Sequence, residues 1–379
     1  MPIVSLKQIN KKHPAADSSR KMLLNNISLT VDSGEFLCIL GPSGCGKSTL
    51  LNIIAGLVEA DSGCLYFNNQ DISQTPTSQR NISMIFQDYA LYQHMNVFNN
   101  IAFPLQVRGE NESEIARQVI QISKQLQIED KLERYPTQLS TGEQQRVAMA
   151  RGLIKKPGVF LLDEPFSNLD QKLKQQMLLE VKRHHKLNQC TSIFVTHEAD
   201  EVMALADRVV LMREGEIIQV DTPLALYEFP CNQFAAEAFG QHQINLLKVT
   251  FIKQQGQHAQ ISLNGFLILI RVDASNISPG SLLTLGFRAE SIFVGSDDDP
   301  LVWIKNVQYQ GHLTYIHATL DGSDERLEFS IPGSIKVQEG SALNLKILAE
   351  KAHLFTQDGK SLPRTVTMEE VTTPAEMLI

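Results

Sequence analysis

Residues 1–240 alternate apolar runs of strand length with segments of helical period. The run Phe36–Leu40 precedes a glycine-rich turn, and residues 48–57 then continue in an apolar helical pattern. Residues 159–162 and 192–195 are short runs typical of strands that are buried on both faces. This alternation of strands and helices predicts an α/β layer structure.

Much of the segment 112–156 has a helical pattern instead. Within residues 112–127 the apolar side chains recur at a period near 3.6, at Ile115, Val119, Ile120, Ile122 and Leu126. We therefore expect an amphipathic helix over this stretch.

The pattern changes after residue 246, where short β-rich runs recur between Gly, Pro, Asn and Asp. They are residues 259–263, Leu282–Phe287, 302–307, Leu313–Leu320 and 343–348. Strands at this spacing predict a small barrel or sandwich. Residues 220–240, which contain two prolines, are expected to be a connector. The tail 361–379 has no clear pattern, so we expect it to be mobile.

The composition is that of an ordinary soluble globular protein, with 43% hydrophobic and 20% charged residues in a chain of 379. This length suggests two or three domains. No run approaches the roughly 18 consecutive apolar residues that span a bilayer, and the N-terminus lacks the apolar core of a secretory signal. Any membrane role is therefore expected to come through partner subunits.

The net charge and the cysteine content further limit the classes of protein to which the chain could belong. The net charge is −8 and neither half of the chain is basic, which argues against a nucleic-acid partner. The 5 cysteines form no CxxC pair and match no zinc spacing, so we expect free thiols in a reducing cytosol.

One motif carries the clearest chemistry. The P-loop pattern G-x-x-x-x-G-K-[ST] is matched by Gly41, Pro42, Ser43, Gly44, Cys45, Gly46, Lys47, Ser48 and Thr49. Gly44 and Gly46 let backbone N–H groups approach a triphosphate, and the helix that follows adds its positive dipole end. Lys47 can reach the β- and γ-phosphates, and the Ser48 hydroxyl can bind Mg2+. A ligand-free glycine turn is the alternative, but the strand before it and the helix after it favour nucleotide binding.

A second candidate lies at the end of the apolar run 159–162, where Asp163 and Glu164 are adjacent. Alone, they are equally consistent with an ordinary acidic loop. Together with a P-loop they favour a site in which Asp163 holds Mg2+ and Glu164 polarises the attacking water.

Residues 139–146, Leu-Ser-Thr-Gly-Glu-Gln-Gln-Arg, resemble the signature motif of ABC ATPases. Other elements of that family follow in the usual order: Gln87 resembles the Q-loop glutamine, residues 167–170 the D-loop, and His197 the switch histidine. The resemblance implies an α/β P-loop NTPase fold that binds ATP and Mg2+.

The resemblance also implies a head-to-tail homodimer or a paired ATPase subunit, with each ATP between the P-loop of one copy and the signature of the other. Ser140 and Gly142 would contact the γ-phosphate of the ATP on the other copy. His197 would contact the γ-phosphate from the P-loop side. Gln87 would sense Mg2+ and water and link them to the membrane partner, and Asp170 would organise the dimer contact.

The signature region has a local structural explanation, but it also departs from the family's sequence pattern. Ser140 and Glu143 form an S-x-x-E capping box ahead of a helix. Thr141 replaces the usual glycine, and its β-branched side chain is expected to crowd the γ-phosphate. The usual adenine-stacking aromatic is missing and His13 stands near its position, so we expect His13 to stack on the base. An insertion-like stretch, 15–21, follows.

The second half of the chain resembles the maltose-type importer subunits. The stretches that carry this resemblance are 234–240, 244–246, 285–290 and 349–355. It implies an ATPase domain over residues 1–235, with a helical subdomain at about 88–156, an OB-like regulatory domain over 236–360, and a tail over 361–379. Within that second domain we expect Arg288 and Glu290 to form a salt bridge rather than a ligand site.

The resulting hypothesis is an ATPase subunit that powers import through integral-membrane permease subunits, served by an extracytoplasmic solute-binding protein. It would lie peripherally on the cytoplasmic face of the inner membrane. A carbohydrate cargo is favoured; polyamine, ferric iron and phosphonate remain open, as does a regulatory ATP binder with weak turnover. A translation factor or DNA-repair ATPase is disfavoured, because the chain has one P-loop, one signature and no sustained heptads between them.

The Q-loop region, residues 87–103, is rich in apolar side chains. It is equally consistent with a groove for a permease helix and with ordinary core.

Overall fold

The computed structural model describes residues 1–13, 22–167, 169–188, 190–240, 242–333 and 336–372. It divides into two compact units, Met1–Pro223 and Leu224–Ile379. The insertion-like stretch 15–21 lies outside the described residues. The domain boundary after residue 235 stays a prediction. Among the described residues, no helix is both long enough and apolar enough to cross a membrane.

The first unit alternates strands and helices. Its strands are β1 (Val4–Lys12), β2 (Met22–Val31), β3 (Phe36–Leu40), β4 (Ser62–Phe67), β5 (Gln70–Asp71), β6 (Ile82–Ile85), β7 (Val159–Asp163), β8 (Thr191–Thr196), β9 (Arg208–Arg213) and β10 (Glu216–Asp221). Its helices are α1 (Lys47–Ala55), α2 (Val97–Val107), α3 (Glu112–Gln125), α4 (Thr141–Leu153), α5 (Gln171–Asn188) and α6 (Ala199–Leu205). Short 3-10 turns lie at Thr77–Gln79, Glu129–Lys131 and Pro136–Gln138.

The central sheet of this unit has the strand order β10-β9-β3-β8-β7-β6, and it is parallel except between β9 and β10. β3 and β8 are buried along their whole length, as expected for parallel strands covered on both faces. A second, antiparallel sheet has the order β2-β1-β4-β5. The predicted α/β fold is confirmed.

Two of the predicted helices differ in detail from the observed ones. α1 ends at Ala55 because Gly56 adopts a left-handed φ of 76° and returns its N–H to the carbonyls of Asn52 and Ile53. In α3 the predicted apolar face is buried except for Ile120, which is 44% exposed. Ile120 directly follows the buried Val119, and adjacent positions of a helix do not share a face.

Arg80 closes the C-terminal end of α1. Its side chain is only 7% exposed, and it donates hydrogen bonds to the carbonyls of Ile53 and Ile54 at 2.8 and 2.9 Å. It also donates to the carbonyls of Thr75 and Ile72 at 2.8 and 3.0 Å. The guanidinium therefore adds to the Gly56 N–H at the Ile53 carbonyl and provides a donor for the Ile54 carbonyl. It ties the helix that follows the P-loop to the loop before β6.

The second unit consists mainly of antiparallel strands. After α7 (Pro223–Glu228), which begins at the boundary, come α8 (Gln233–Ala238), β11 (Asn245–Gln255), β12 (His258–Leu263), β13 (Phe266–Ile270), β14 (Leu282–Phe287), β15 (Ile292–Val294), β16 (Leu301–Tyr309), β17 (Leu313–Leu320), β18 (Arg326–Pro332), β19 (Ala342–Ile347), β20 (His353–Phe355) and α9 (Met368–Thr372). A 3-10 turn lies at Ala289–Ser291. The two sheets have the orders β13-β12-β11-β14-β20 and β15-β19-β16-β17-β18. One apolar cluster contains side chains from both sheets, as the prediction of an OB-like domain requires.

Both ends of this unit contain ordered elements. The expected connector carries α7 and α8. The expected mobility of the tail is wrong for its described part, because Leu362, Val366 and Val371 are buried and Glu370 pairs with Arg271 at 2.8 Å.

The expected salt bridge between Arg288 and Glu290 does not form. The Arg288 guanidinium instead lies 4.4 Å from the ring centroid of Tyr227. Glu290 accepts a hydrogen bond from the Tyr227 hydroxyl. The two charges that the sequence suggested as a pair thus each contact Tyr227.

We predict that Arg80→Met lowers the first unit's thermal midpoint by roughly 6–12 °C. Removing the donors takes the hydrogen bonds away from the Ile54 and Thr75 carbonyls, which costs about 3 kcal/mol. Each kcal/mol shifts Tm by about 2–4 °C in a unit of this size. Differential scanning calorimetry measures the shift. The control is Arg117→Met, at an exposed ion pair, where Tm should stay almost unchanged. Equal shifts in the two variants would contradict the anchoring role of Arg80.

Candidate functional site

The predicted P-loop joins β3 to α1 and is packed tightly on its inner side. A Cβ at Gly41 would lie 2.4 Å from the carbonyl oxygen of Met212. A Cβ at Gly46 would lie 2.6 Å from the carbonyl oxygen of Leu23, and Gly46 has a left-handed φ of 105°. Gly44 is also left-handed, but nothing lies within 4 Å of its Cβ position. Two glycines are thus required by packing, while the third leaves the outer side of the loop open.

Lys47 is the first residue of α1, and its side chain is 4% exposed. Its ammonium donates to the carbonyl oxygens of Gly41 at 2.8 Å and Pro42 at 3.0 Å. It also lies 3.7 Å from Oε1 of Glu164. The cation is therefore held over the loop by weak neutral acceptors and one carboxylate.

The other P-loop residues divide into buried and exposed ones. Cys45 is buried, and burial raises the pKa of its thiol. Its carbonyl accepts a hydrogen bond from the Gly215 N–H at 3.1 Å. Ser43 and Ser48 are exposed, and Thr49 is half-buried. The loop thus presents hydroxyl groups outward and keeps its thiol in the core.

Asp163, the last residue of β7, is joined to the P-loop. Its Oδ1 accepts a hydrogen bond from the Ser48 hydroxyl at 2.8 Å. Burial raises the pKa of this carboxyl group, and the nearby Glu164 adds to that effect, while Ser48 and Lys47 oppose it. A hydroxyl beside a carboxylate is a pair of hard oxygen donors, which suits Mg2+ bound together with substrate phosphates.

Glu164 has an unusual backbone. Its φ is 43°, a left-handed conformation that is strained for a residue with a side chain. Its N–H donates to the Val195 carbonyl at 3.0 Å, which ties the strained turn to β8. Its Oε2 lies 3.2 Å from Nδ1 of His197, while Oε1 faces Lys47. The side chain therefore lies between the P-loop lysine and the predicted switch histidine.

Gln87 reaches this group through a serine that the sequence did not single out. Its Nε2 donates to the Ser167 hydroxyl at 3.4 Å, and that hydroxyl donates to the Glu164 carbonyl at 3.1 Å. Ser167 is the first residue of the stretch that resembles the D-loop. Its hydroxyl group is the only sequence feature that could have indicated a link between Gln87 and Glu164.

The chain beyond Gln87 is fixed by a residue that had no sequence signal. Tyr89 and Ala90 have left-handed φ values of 60° and 46°. Arg151, in the last turn of α4, donates to their carbonyls at 2.8 and 2.7 Å. The helix that begins at the signature thus ends on the Q-loop.

The signature forms the predicted capping box, which is confirmed. Ser140 is the N-cap of α4, its Oγ accepts from the Glu143 N–H at 3.4 Å, and Oε2 of Glu143 accepts from the Ser140 N–H at 2.8 Å. Thr141 is exposed at the first helical position. A Cβ at Gly142 would lie 2.5 Å from Cδ2 of Leu173 in α5. Within the part of this chain that is described, no hydrogen bond joins Ser140 or Gly142 to the P-loop.

Asp170 and His13 do not belong to the cluster of side chains around Glu164. Oδ1 of Asp170 accepts from the Leu173 N–H at 3.0 Å and so begins α5. Asn168 of the D-loop lies outside the described residues. His13 is exposed directly after β1. The structure thus groups Lys47, Ser48, Asp163, Glu164, His197 and, through Ser167, Gln87.

Comparison with known proteins gives consistent matches. A family model described as ABC transporter matches residues 24–167. The maltose/maltodextrin import ATP-binding protein MalK of Photorhabdus laumondii is 37% identical over 367 residues, which cover 96% of this chain and 98% of that protein. The protein of the same name from Vibrio cholerae is 36% identical over 378 residues, covering 99% of this chain and 100% of its own length.

A solved structure supports the first unit. The dimeric post-hydrolysis structure of the ATP-binding cassette MJ0796, bound to ADP and Pi, is 28% identical with a TM-score of 0.54. It covers 58% of this chain and 98% of its own. The near-complete coverage by the maltose-type relatives extends the similarity over both units. The chain therefore belongs to the ABC transporter family of ATP-binding proteins, in its maltose-type branch.

Proposed function

We propose that this chain is the ATP-hydrolysing subunit of an importer that moves a carbohydrate through integral-membrane permease subunits. The support is a full-length similarity to proteins named for maltose/maltodextrin import. In this proposal a solute-binding protein delivers the cargo outside the cell. The chain itself works as a peripheral protein on the cytoplasmic face of the inner membrane.

The observation that carries the ATPase proposal is the placement of Glu164 between Lys47 and His197. In this proposal the phosphate oxygens of ATP replace the carbonyls of Gly41 and Pro42 as acceptors for the Lys47 ammonium. Glu164 then accepts the proton of the attacking water, since its carboxylate is held beside the P-loop by a strained backbone. His197 would hold that carboxylate on one side and contact the γ-phosphate on the other.

The residues also fit Mg2+. Ser48 and Asp163 would hold the ion, and Gln87 would approach it through its side-chain oxygen. When bound, the ion neutralises charge on the β- and γ-phosphates. The hydrogen bond from Ser48 to Asp163 brings both ligand groups together before the ion arrives.

A second copy would complete the site. Ser140 and Gly142 make no hydrogen bond to the P-loop among the described residues of their own chain, and the start of α4 carries the positive end of a helix dipole. In a head-to-tail homodimer these groups would face the γ-phosphate held by the other copy, with Asp170 at the contact. The related cassette MJ0796 is described as dimeric.

The Q-loop turn is suited to a permease contact. Asn100 is fully buried, and its amide donates to the carbonyls of Tyr92 and Met95, both at 3.0 Å. Tyr92 is 37% exposed and packs edge-on against Phe103 at 4.9 Å. We propose that this rigid aromatic surface receives a cytoplasmic permease helix.

A regulatory ATP binder with weak turnover is the second candidate, favoured by the exposed Thr141 in the signature. Polyamine, ferric iron or phosphonate cargo are further alternatives, since in this family the permease and binding protein select the solute. The regulatory binder would differ in its rate of ATP hydrolysis, so steady-state kinetics distinguish it. The importers of other solutes would differ in their partner subunits.

We predict that Glu164→Gln lowers kcat for Mg2+-dependent ATP hydrolysis by about 100-fold or more, because a positioned general base contributes that much. ATP affinity, measured by calorimetry, should be retained. The exposed Glu214→Gln serves as a matched control with unchanged kcat. Full activity in the Glu164→Gln variant would contradict the assignment of the base.

We predict that Thr141→Gly raises kcat on the order of threefold, equivalent to under about 1 kcal/mol of barrier. The physical reason is that removing the β-branched side chain lets the partner's γ-phosphate approach the helix start. Steady-state hydrolysis at saturating ATP measures it. A fall in kcat, or no change, would show that Thr141 does not slow the chemistry.

We predict that His13→Ala weakens ATP binding roughly fivefold, or about 1 kcal/mol, a typical stacking contribution. GTP affinity in parallel reports whether the contact is to the base. The exposed His94→Ala is the control. Unchanged affinity by calorimetry would refute adenine stacking on His13.

A further inference from the structure

Lys174 forms a buried charge contact that the proposed mechanism does not use. It lies in the first turn of α5, the helix that Asp170 begins, and is 7% exposed. Its ammonium lies 2.6 Å from each carboxylate oxygen of Glu198 and 3.5 Å from Oε1 of Glu201. One cation therefore faces two carboxylates of the segment that follows β8.

The Thr196 hydroxyl connects the Glu201 carboxylate to the chain on both sides of His197. Before it, the Thr196 hydroxyl donates to Oε2 of Glu201 at 2.5 Å. After it, the Glu198 N–H donates to the same hydroxyl oxygen at 3.0 Å. Thr196 and Glu201 are each 2% exposed. The backbone of His197 is thus fixed by a closed set of polar contacts.

The geometry of these polar contacts depends on the Lys174 ammonium. Burial raises the pKa of Glu201 and the adjacent Glu198 adds to that rise, while Thr196 and Lys174 oppose it. A buried carboxylate without a partner is strongly unfavourable, so Glu201, which is 2% exposed, depends on this ammonium. The same ammonium holds the 34% exposed side chain of Glu198 at 2.6 Å.

We propose that Lys174 is a positioning residue for His197, linking the helix that begins at the D-loop to the switch histidine. This inference rests on the proposed function, in which His197 contacts the γ-phosphate. Movement of α5 at the dimer contact would then move the backbone on both sides of His197. The Lys174 ammonium itself would contact neither ATP nor the attacking water.

A second lysine provides a matched control for simple helix packing. Lys182, two turns further along α5, donates to the Ala204 carbonyl of α6 at 2.6 Å. It therefore joins the same two helices as Lys174 does. Its contact involves no carboxylate next to His197.

The test compares Lys174→Met, Lys174→Arg and Lys182→Met in the full-length chain. For Lys174→Met we expect kcat to fall about tenfold or more, since misplacing a catalytic group by about 1 Å has effects of this order. KM for ATP should change less than about twofold, because Lys174 does not face the nucleotide. Lys174→Arg should recover most of kcat, and Lys182→Met should keep wild-type kcat.

A further variant covers the case in which Lys174→Met does not fold. Lys174→Met with Glu201→Gln removes the unpaired buried charge, so it should fold with a near-normal thermal midpoint. Its kcat should still be low, because Glu198 has lost its cation. Wild-type kcat in this double variant, or equal losses for Lys174→Met and Lys182→Met, would overturn the proposal.

The results also separate this inference from the proposed function. If the wild-type chain hydrolyses ATP and His197→Ala does not, the proposed function holds, and an active Lys174→Met variant then overturns only the positioning role. If His197→Ala keeps wild-type kcat, the role of the histidine itself fails, and the positioning proposal fails with it.

Discussion

The parallel pairing of β3, β8 and β7 is the constraint on which the site depends. Leu40 pairs with Thr196, and Asp163 pairs with Val195, so the three strands end at the same edge of the sheet. The P-loop, the acidic pair and His197 each begin where a strand ends, in line with the general placement of ligands at the carboxyl ends of parallel strands. The charged groups are therefore brought together by strand register, across more than a hundred residues of chain.

Within that edge the charges are close but incompletely matched. The Lys47 ammonium donates its hydrogen bonds to loop carbonyls. Glu164 is held in a left-handed conformation by a hydrogen bond to β8. In the proposed mechanism Lys47 would exchange these carbonyls for phosphate oxygens, and Glu164, with its strained backbone, would accept a proton from water. The signature lies elsewhere on the same chain, with its capping box complete and its first helical turn exposed. In the proposed dimer a second copy would supply these contacts, and ATP would then bind to both subunits at once.

What the sequence predicted well was local. The P-loop, the acidic pair after β7 and the capping box at Ser140 are defined by neighbouring residues, and so is the run of buried strands. Contacts between distant segments had no such signal: Arg80 on the end of α1, Arg151 under the Q-loop, and Lys174 beside His197. The same limit explains the errors. Arg288 and Glu290 are close in sequence, but each contacts Tyr227 instead. The tail is packed by side chains whose partners lie far away in the chain.

The central claim, that ATP lies between the P-loop of one copy and the signature of another, is tested most directly by cross-linking. Ser43→Cys and Thr141→Cys, both exposed positions, are made in separate chains that carry Glu164→Gln and lack the surface thiol of Cys231. Mixed and oxidised, the two chains should form a covalent heterodimer with Mg2+ and ATP and much less of it with ADP. A cross-link that forms equally with either nucleotide, or none at all under conditions where ATP is bound, would contradict the account.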